Sequence, residues 1–251
     1  MENNLIFYLS DFLYKYFFGI YRIFYKYYKN RKDKFEIELL GKIIRPGSNI
    51  IDIGANIGFY SLLFTNLTGI KGNVHCFEPD LTNFNHLKKA VKKSTNVIIN
   101  NKAISDREGL LTFYTSHRLN VDHRTYPVEK YRSTYQVDSI SIDKYINNKY
   151  KVDFIKMDIQ GAEFPALKGM EATLRNNQDI IVFMEIMPSG LKSFGISANV
   201  VTNYISSLGF IIYLIRDNMI KILEEADINN YEFYKEDEYD NLILSRNFLQ
   251  I

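Results

Sequence analysis

The stretch Ile50-Ile51-Asp52-Ile53-Gly54-Ala55-Asn56-Ile57-Gly58-Phe59-Tyr60 decides the fold. Its first residues form the short apolar run expected of a strand buried on both faces, and the periodicity turns helical after the glycines. Gly54 and Gly58 allow a tight turn and a close approach of backbone to a ligand that a Cβ would obstruct. In an open parallel sheet, ligands bind outside the carboxyl ends of the strands, which is where this turn falls.

Further apolar runs follow at Val74 to Phe77, Val97 to Asn100, Phe154 to Met157 and Ile180 to Ile186, with the first strand spanning Asn49 to Ile53. Helix candidates at Tyr60 to Leu67, Leu81 to Val91 and Glu163 to Arg175 supply crossovers long enough for parallel pairing. The alternation predicts a doubly wound α/β sheet. Leu110 to Thr115 and Tyr135 to Ile142 read as an inserted strand pair, joined by a polar loop from Ser116 to Thr134. Phe210 to Ile215 and Asn241 to Ser245 read as a terminal hairpin, with an acidic segment around Glu224 to Asp240 between them.

The glycine pattern is D-x-G-x-N-x-G, not the G-x-G-x-x-G that seats a pyrophosphate on a helix N-terminus. The carboxylate of Asp52 beside the turn would repel a pyrophosphate and suits a ligand with a cationic amino acid portion. Glu78, in Cys76-Phe77-Glu78-Pro79-Asp80, follows Asp52 by 26 residues. That is near the roughly 20-residue interval at which nucleotide folds place a ribose-binding acid. Together these residues favour S-adenosylmethionine over a nicotinamide cofactor. Asp158 and Glu185 end the next strands, so four acids, with Asp52 and Glu78, converge on one sheet edge.

The stretches IIDIGANIGFYSLL, HCFEPD, NKAISDREG, SISIDKYI, DFIKMDIQGAEFPALKGM and IVFMEIMP, in this order over residues 49 to 188, resemble the FkbM family of S-adenosylmethionine-dependent methyltransferases. The resemblance implies a class I, Rossmann-like methyltransferase fold, a mostly parallel sheet whose last strand inserts antiparallel. It also implies that Asp52, Gly54, Asn56 and Gly58 surround the methionine moiety, that Glu78 and Pro79 meet the ribose, and that Asn101 to Ala103 lie beside adenine. The family commonly carries Glu where this chain has Gln160, which removes one candidate base or metal ligand.

Methyl transfer from a sulfonium is an in-line displacement that needs an aligned acceptor and, for a hydroxyl, a nearby base. Asp158, which also borders the cofactor, is the first candidate, with Glu163 and Glu185 behind it. Glu163 has an alternative reading as a first-turn acid that stabilises its helix. Lys156 reads as an ion-pair partner without a catalytic role, and His117, Asp122 and His123 as loop residues within reach of an acceptor or a metal. The metal itself stays open, since no spacing fixes a ligand set.

The varied hydroxyl and carboxyl acceptors of the family point to O-methylation of a sugar, glycan or small metabolite. Nucleic-acid methylation and cofactor binding without turnover are the alternatives. Against nucleic acid stand a formal charge of only +2 and Asp158-Ile159-Gln160-Gly161, where amine methyltransferases carry an Asn/Asp-Pro-Pro-aromatic turn.

With 251 residues and 46% hydrophobic content, the chain can bury one substantial core. The expected division is an amphipathic helical segment over 1–34, broken near Gly19, and a methyltransferase domain over 35–251, opening with a short helix that ends near Gly47. One cysteine, Cys76, and no apolar run of the ~18 residues a membrane span needs predict a cytoplasmic protein. Asp11, Lys15, Arg22 and Lys26 interrupt the aromatic residues 5–28 on one narrow face. The broad apolar remainder is expected to dock on its own domain or a second subunit, with a membrane interface as the alternative.

Overall fold

The structure is a computed structural model that describes residues 2–116, 131–235 and 238–249. Its helices are α1 (Glu2–Tyr16), α2 (Phe18–Lys32), α3 (Lys34–Ile43), α4 (Phe59–Thr68), α5 (Leu81–Ala90), α6 (Ile142–Ile146), α7 (Glu163–Lys168), α8 (Glu171–Asn176), α9 (Pro188–Ser193), α10 (Ala198–Ser207) and α11 (Glu225–Asn230). The strands are β1 (Asn49–Ile53), β2 (Asn73–Phe77), β3 (Val97–Asn100), β4 (Ala103–Ile104), β5 (Gly109–Ser116), β6 (Tyr131–Ile140), β7 (Phe154–Met157), β8 (Ile181–Ile186), β9 (Ile211–Arg216), β10 (Met219–Ile222) and β11 (Asp240–Ser245).

Eight strands form the main sheet in the order β10-β9-β11-β8-β7-β1-β2-β3. β3, β2, β1, β7 and β8 pair in parallel, and β11 inserts between β8 and β9 antiparallel to both. The two sides of β1 face separate cores. Ile51 and Ile53 pack with Met157, Leu167 and Met184, whereas Ile50 packs with Leu40, Phe64 and Phe154. That double burial is why the strand reads as an almost unbroken apolar run. The chain leaves β1 for β2 on one side and reaches β7 on the other, so the gap between the carboxyl ends of β1 and β7 is the crevice where such sheets take ligands.

The inserted pair does pair antiparallel, but in a separate three-stranded sheet of order β4-β6-β5. It docks on the main sheet's edge through Tyr135, whose hydroxyl donates to Asp80 at 2.6 Å. Its second strand begins at Tyr131, four residues earlier than its apolar alternation indicates. His117, Asp122 and His123 lie outside the described residues.

Other boundaries move for identifiable reasons. The run Glu163 to Arg175 is two helices, because Gly169 passes so close to the Ser105 carbonyl that the chain bends there. β9 and β11 pair as expected, but β10 intervenes in sequence, turned back by Asp217 and Asn218, both at positive φ as a two-residue hairpin turn requires. The helix before β1 ends at Ile43 and not near Gly47. The N-terminal helix breaks at Phe17, two residues before Gly19, where the backbone leaves helical geometry (φ −134°, ψ 50°). Among the described residues, no helix is long and apolar enough to cross a membrane.

Candidate active site

The carboxyl ends of β1, β2, β7 and β8 bring Asp52, Glu78, Asp158 and Glu185 to one edge. Between them runs the loop from Gly54 to Gly58. Gly54 has a φ of +76°, and a Cβ there would meet the Asp158 carbonyl oxygen at 2.0 Å. Asn56 also adopts a positive φ of 51°. Its backbone N–H donates to Glu78 Oε2 at 2.8 Å, while the Asp80 N–H donates to Oε1 at 2.8 Å. Each Glu78 oxygen thus has a fixed direction and keeps a further lone pair, the arrangement needed to accept two ribose hydroxyls. Burial pushes Glu78 up to about 8, against the stabilising bonds from Asp80 and Asn56.

Asp52 is fully buried. Its Oδ2 accepts from Ser61 Oγ at 2.6 Å, and its Oδ1 has no hydrogen-bond partner. Lys156 stands opposite in the β1–β7 register and brings its ammonium within 4.0 Å of that oxygen. Burial raises the Asp52 carboxyl, with Lys156 and Ser61 opposing. The orphaned Asp52 oxygen and the anchored Glu78 carboxyl together fit an S-adenosyl ligand, one acceptor for its cationic end and one for its diol.

Asp158 accepts from Lys156 Nζ at 3.3 Å and from Gln160 Nε2 at 3.1 Å, and the same Gln160 amide donates to Glu185 Oε1 at 2.9 Å. Gln160 therefore ties the two acids together, a use that its amide permits and a third carboxylate would not. Burial acts to raise Asp158, but Lys156, Lys29 and the bond from Gln160 outweigh it and hold the group below the ordinary carboxylate range. Glu185 moves the other way, raised by burial and by the charges of Asp158 and Glu163. Glu163 is fully enclosed, with Oε1 accepting from the Gly161 N–H at 2.7 Å and Oε2 without a partner. Burial pushes it to about 8. The Asp158 side chain is 35% exposed, which makes it the most accessible acid of this trio.

The residues expected beside adenine also have clear placements. Asn101 donates from Nδ2 to the Glu78 and Pro79 carbonyls at 2.8 and 2.9 Å, fixing the turn that follows β2. Ala103 is buried against Phe113 and Val137 of the small sheet. Among the described residues, no three His, Cys, Asp or Glu side chains gather as metal ligands.

Sequence reasoning missed the roof. α2 lies over the strand-end acids. Lys29 pairs with Asp33, whose Oδ2 accepts the Tyr60 hydroxyl at 2.7 Å, and Lys29 and Lys156 approach the Tyr60 ring at 5.3 and 5.1 Å. Tyr25 meets Phe59 edge to face, and its hydroxyl is raised by burial and by the nearby Asp158 charge. Lys32 donates to the Tyr239 hydroxyl at 2.7 Å, joining the two ends of the chain above the site. The signal was the spacing Phe18, Tyr21, Tyr25, Lys29, Lys32, one helix face that the charge stripe through Arg22 and Lys26 obscured.

These raised carboxyls have a consequence for stability. Folded Glu78 and Glu163 hold protons up to about 8, whereas an unfolded Glu releases its proton near ~4.3. Between those values the native state binds more protons, so their contribution is complete at low pH and is lost as pH rises through about 8. Below 6.5 His75, lowered by burial to about 4, acts in the opposite sense. The ligand-free protein is expected to melt at a falling temperature between about pH 6.5 and pH 8.5. Glu78→Gln and Glu163→Gln should each flatten that slope in scanning fluorimetry, and a parent melting point that rises over the window would contradict the assignment.

The methyltransferase FkbM domain matches residues 52–212, well over half of the chain. A 31-O-demethyl-FK506 methyltransferase FkbM from Streptomyces tacrolimicus is 38% identical over 77 residues, which is 30% of this chain and 29% of that relative. The chain thus matches less than a third of that protein's length. Among solved structures, a candidate rRNA methylase from Clostridium thermocellum superimposes with a TM-score of 0.53 at 10% identity, over 84% of this chain and 92% of that one. It carries the same fold. The chain belongs to the FkbM methyltransferase family.

Proposed function

We propose that the chain is an S-adenosylmethionine-dependent methyltransferase whose acceptor is a hydroxyl or carboxyl oxygen of a sugar, glycan or small metabolite. The observation that carries this is Asp158, an accessible carboxylate hydrogen-bonded to Gln160 and Lys156 beside the glycine loop. The relative from Streptomyces tacrolimicus is named for methylation at an oxygen, which supports the same reading. Bound S-adenosylmethionine supplies an electrophilic methyl on a sulfonium. Asp52 meets the cationic amino acid end, Glu78 holds the ribose diol, and the backbone of Gly54, Asn56 and Gly58 lets the ligand approach.

Asp158 then takes the acceptor proton. Its lowered affinity for a proton keeps it ionised and ready, and Lys156 stabilises that state before transfer. Glu185, held by Gln160, orients the amide that in turn orients Asp158. Glu163 braces the Gly161 turn from beneath. The Tyr25–Lys29 face of α2 screens the site from water.

The division at residues 34 and 35, a cytoplasmic setting and a contact role for residues 5–28 belong to the same reading. They are supported by the single-residue junction at Asp33 between α2 and α3, by the buried lone thiol of Cys76 and by the apolar outer face of α2.

Calorimetry with the purified chain tests the cofactor roles. S-adenosylmethionine is expected to bind, with NAD far weaker. Glu78→Ala removes the acceptor of both ribose hydroxyls, a loss of about 1–3 kcal/mol or roughly 5- to 150-fold in affinity. Parental affinity in that variant would remove Glu78 from the ribose. Formation of S-adenosylhomocysteine across a panel of sugars, glycans and metabolites tests the acceptor class.

A further inference from the structure

The inner face of α2 is fully engaged. Phe18 stacks on His86 with centroids 3.4 Å apart, Tyr21 stacks on Tyr25, and Lys29 and Lys32 reach Asp33 and Tyr239. The outer face is not covered. Ile20, Ile23, Phe24, Tyr27 and Tyr28 are 47–69% exposed. At roughly 100° per residue they fall within an arc of about 140°, on the side away from the inner residues. Phe12, Tyr16 and Phe17 extend this face across the helix break, with the Phe12 ring 5.2 and 5.7 Å from its two neighbours. A helix anchored so firmly on one side cannot turn its apolar side inward, and an open face of this size marks a contact surface.

Charge decides what covers it. α2 carries Arg22, Lys26, Lys29, Arg31 and Lys32 and no acid. Arg22 and Lys26 are exposed and flank the apolar arc, and Arg31 continues the arc at its end. A second copy would have to present the same acid-free, basic helix, because a twofold contact sets identical surfaces together. Arg22, Lys26 and Arg31, which the inner contacts leave unpaired with any acid of α2, would meet the same three cations and repel. An anionic lipid surface offers the complement: acyl boundary for Ile and Phe, headgroup level for Tyr, and phosphates for Arg and Lys. We infer that the outer face of α1 and α2 docks the enzyme on an anionic phospholipid bilayer, lying in its surface without crossing it. The family match begins at residue 52, so this contact belongs to the chain's own N-terminal segment.

Cosedimentation of the full chain with vesicles tests this directly. Binding is expected to phosphatidylcholine vesicles containing phosphatidylglycerol, not to phosphatidylcholine alone, and to weaken in salt. Ile23→Ser with Phe24→Ser should weaken it about tenfold or more, and so should Arg22→Glu with Lys26→Glu. The Ile23/Phe24 variant should keep the parent's melting temperature and S-adenosylmethionine affinity, since those side chains touch neither the core nor the site. Failure of the parent to sediment with anionic vesicles, or parental binding by either variant, would overturn the inference. So would a stable dimer that the Ile23/Phe24 variant converts to monomer, which would assign the face to a second copy. Neither result bears on the methyltransferase assignment, which the vesicle assay does not read.

Discussion

Asp158→Asn is expected to lower turnover by about a hundredfold or more while leaving the fold and much of the S-adenosylmethionine affinity intact. Asn preserves the shape of the side chain and can still accept from Gln160 Nε2, whose other bond to Glu185 is untouched. What it loses is the charge that Lys156 faces at 3.3 Å and the ability to take a proton. Lys156 is not stranded, because Asp52 stands 4.0 Å from its ammonium and Tyr60 offers its ring face. The loss should therefore fall on the chemical step, in kcat and not in cofactor binding. Single-turnover measurement with the true acceptor separates the two. Glu185→Gln is the companion variant: it keeps a hydrogen-bonding group beside Gln160 and should cost less than Asp158→Asn if Asp158 is the base. The reverse order, with near-normal turnover for Asp158→Asn, would move the proton transfer to Glu185.

Most of this site was legible because parallel strands send their carboxyl ends to one edge. Once β1, β7 and β8 are recognised as apolar runs, Asp52, Asp158 and Glu185 follow at that edge without further information. β1, β3 and β7 also keep the bounds that their apolar runs suggest. What sequence could not supply is long-range pairing. A strand lysine is more often solvated, and only the register of Lys156 against Asp52 turns it into a buried partner. The placement of Tyr25 and Lys29 over Asp158 depends on how α2 lies across the domain, which no local pattern encodes. β10 escaped because most of it is exposed and its two-residue turn, Asp217-Asn218, lacks the glycine that usually marks a hairpin. The break at Gly169 escaped because the helical periodicity continues through it while the cause, the Ser105 carbonyl, is 64 residues away in sequence.

Gly54→Ala should be the most damaging single methyl in the cofactor loop. The added Cβ would lie 2.0 Å from the Asp158 carbonyl oxygen, 3.0 Å from its carbon and 3.2 Å from Ile159 Cγ2. Two of those three atoms are backbone and cannot rotate away. Nor can Gly54 retreat, because its N–H donates to Phe77 at 3.0 Å on the other side, and Asp158 is itself tied to Ile53 by a 3.1 Å bond. The φ of +76° adds its own penalty of about 1–2 kcal/mol for a residue with a Cβ. Forcing the β1 and β7 loops apart adds about 1–3 kcal/mol. For a chain of this size the sum corresponds to a melting temperature lower by roughly 5–15 °C. Because the displaced segment carries Asp158, S-adenosylmethionine affinity and turnover should fall together. Gly19→Ala is the control: Gly19 lies within α2 with nothing near its Cβ position, so alanine there should be neutral or stabilising by up to about 1 kcal/mol. Scanning fluorimetry and calorimetry on both variants decide the matter. A Gly54→Ala protein that melts with the parent and binds S-adenosylmethionine as tightly would show that the β1 turn does not close against β7 as the packing of these two loops requires.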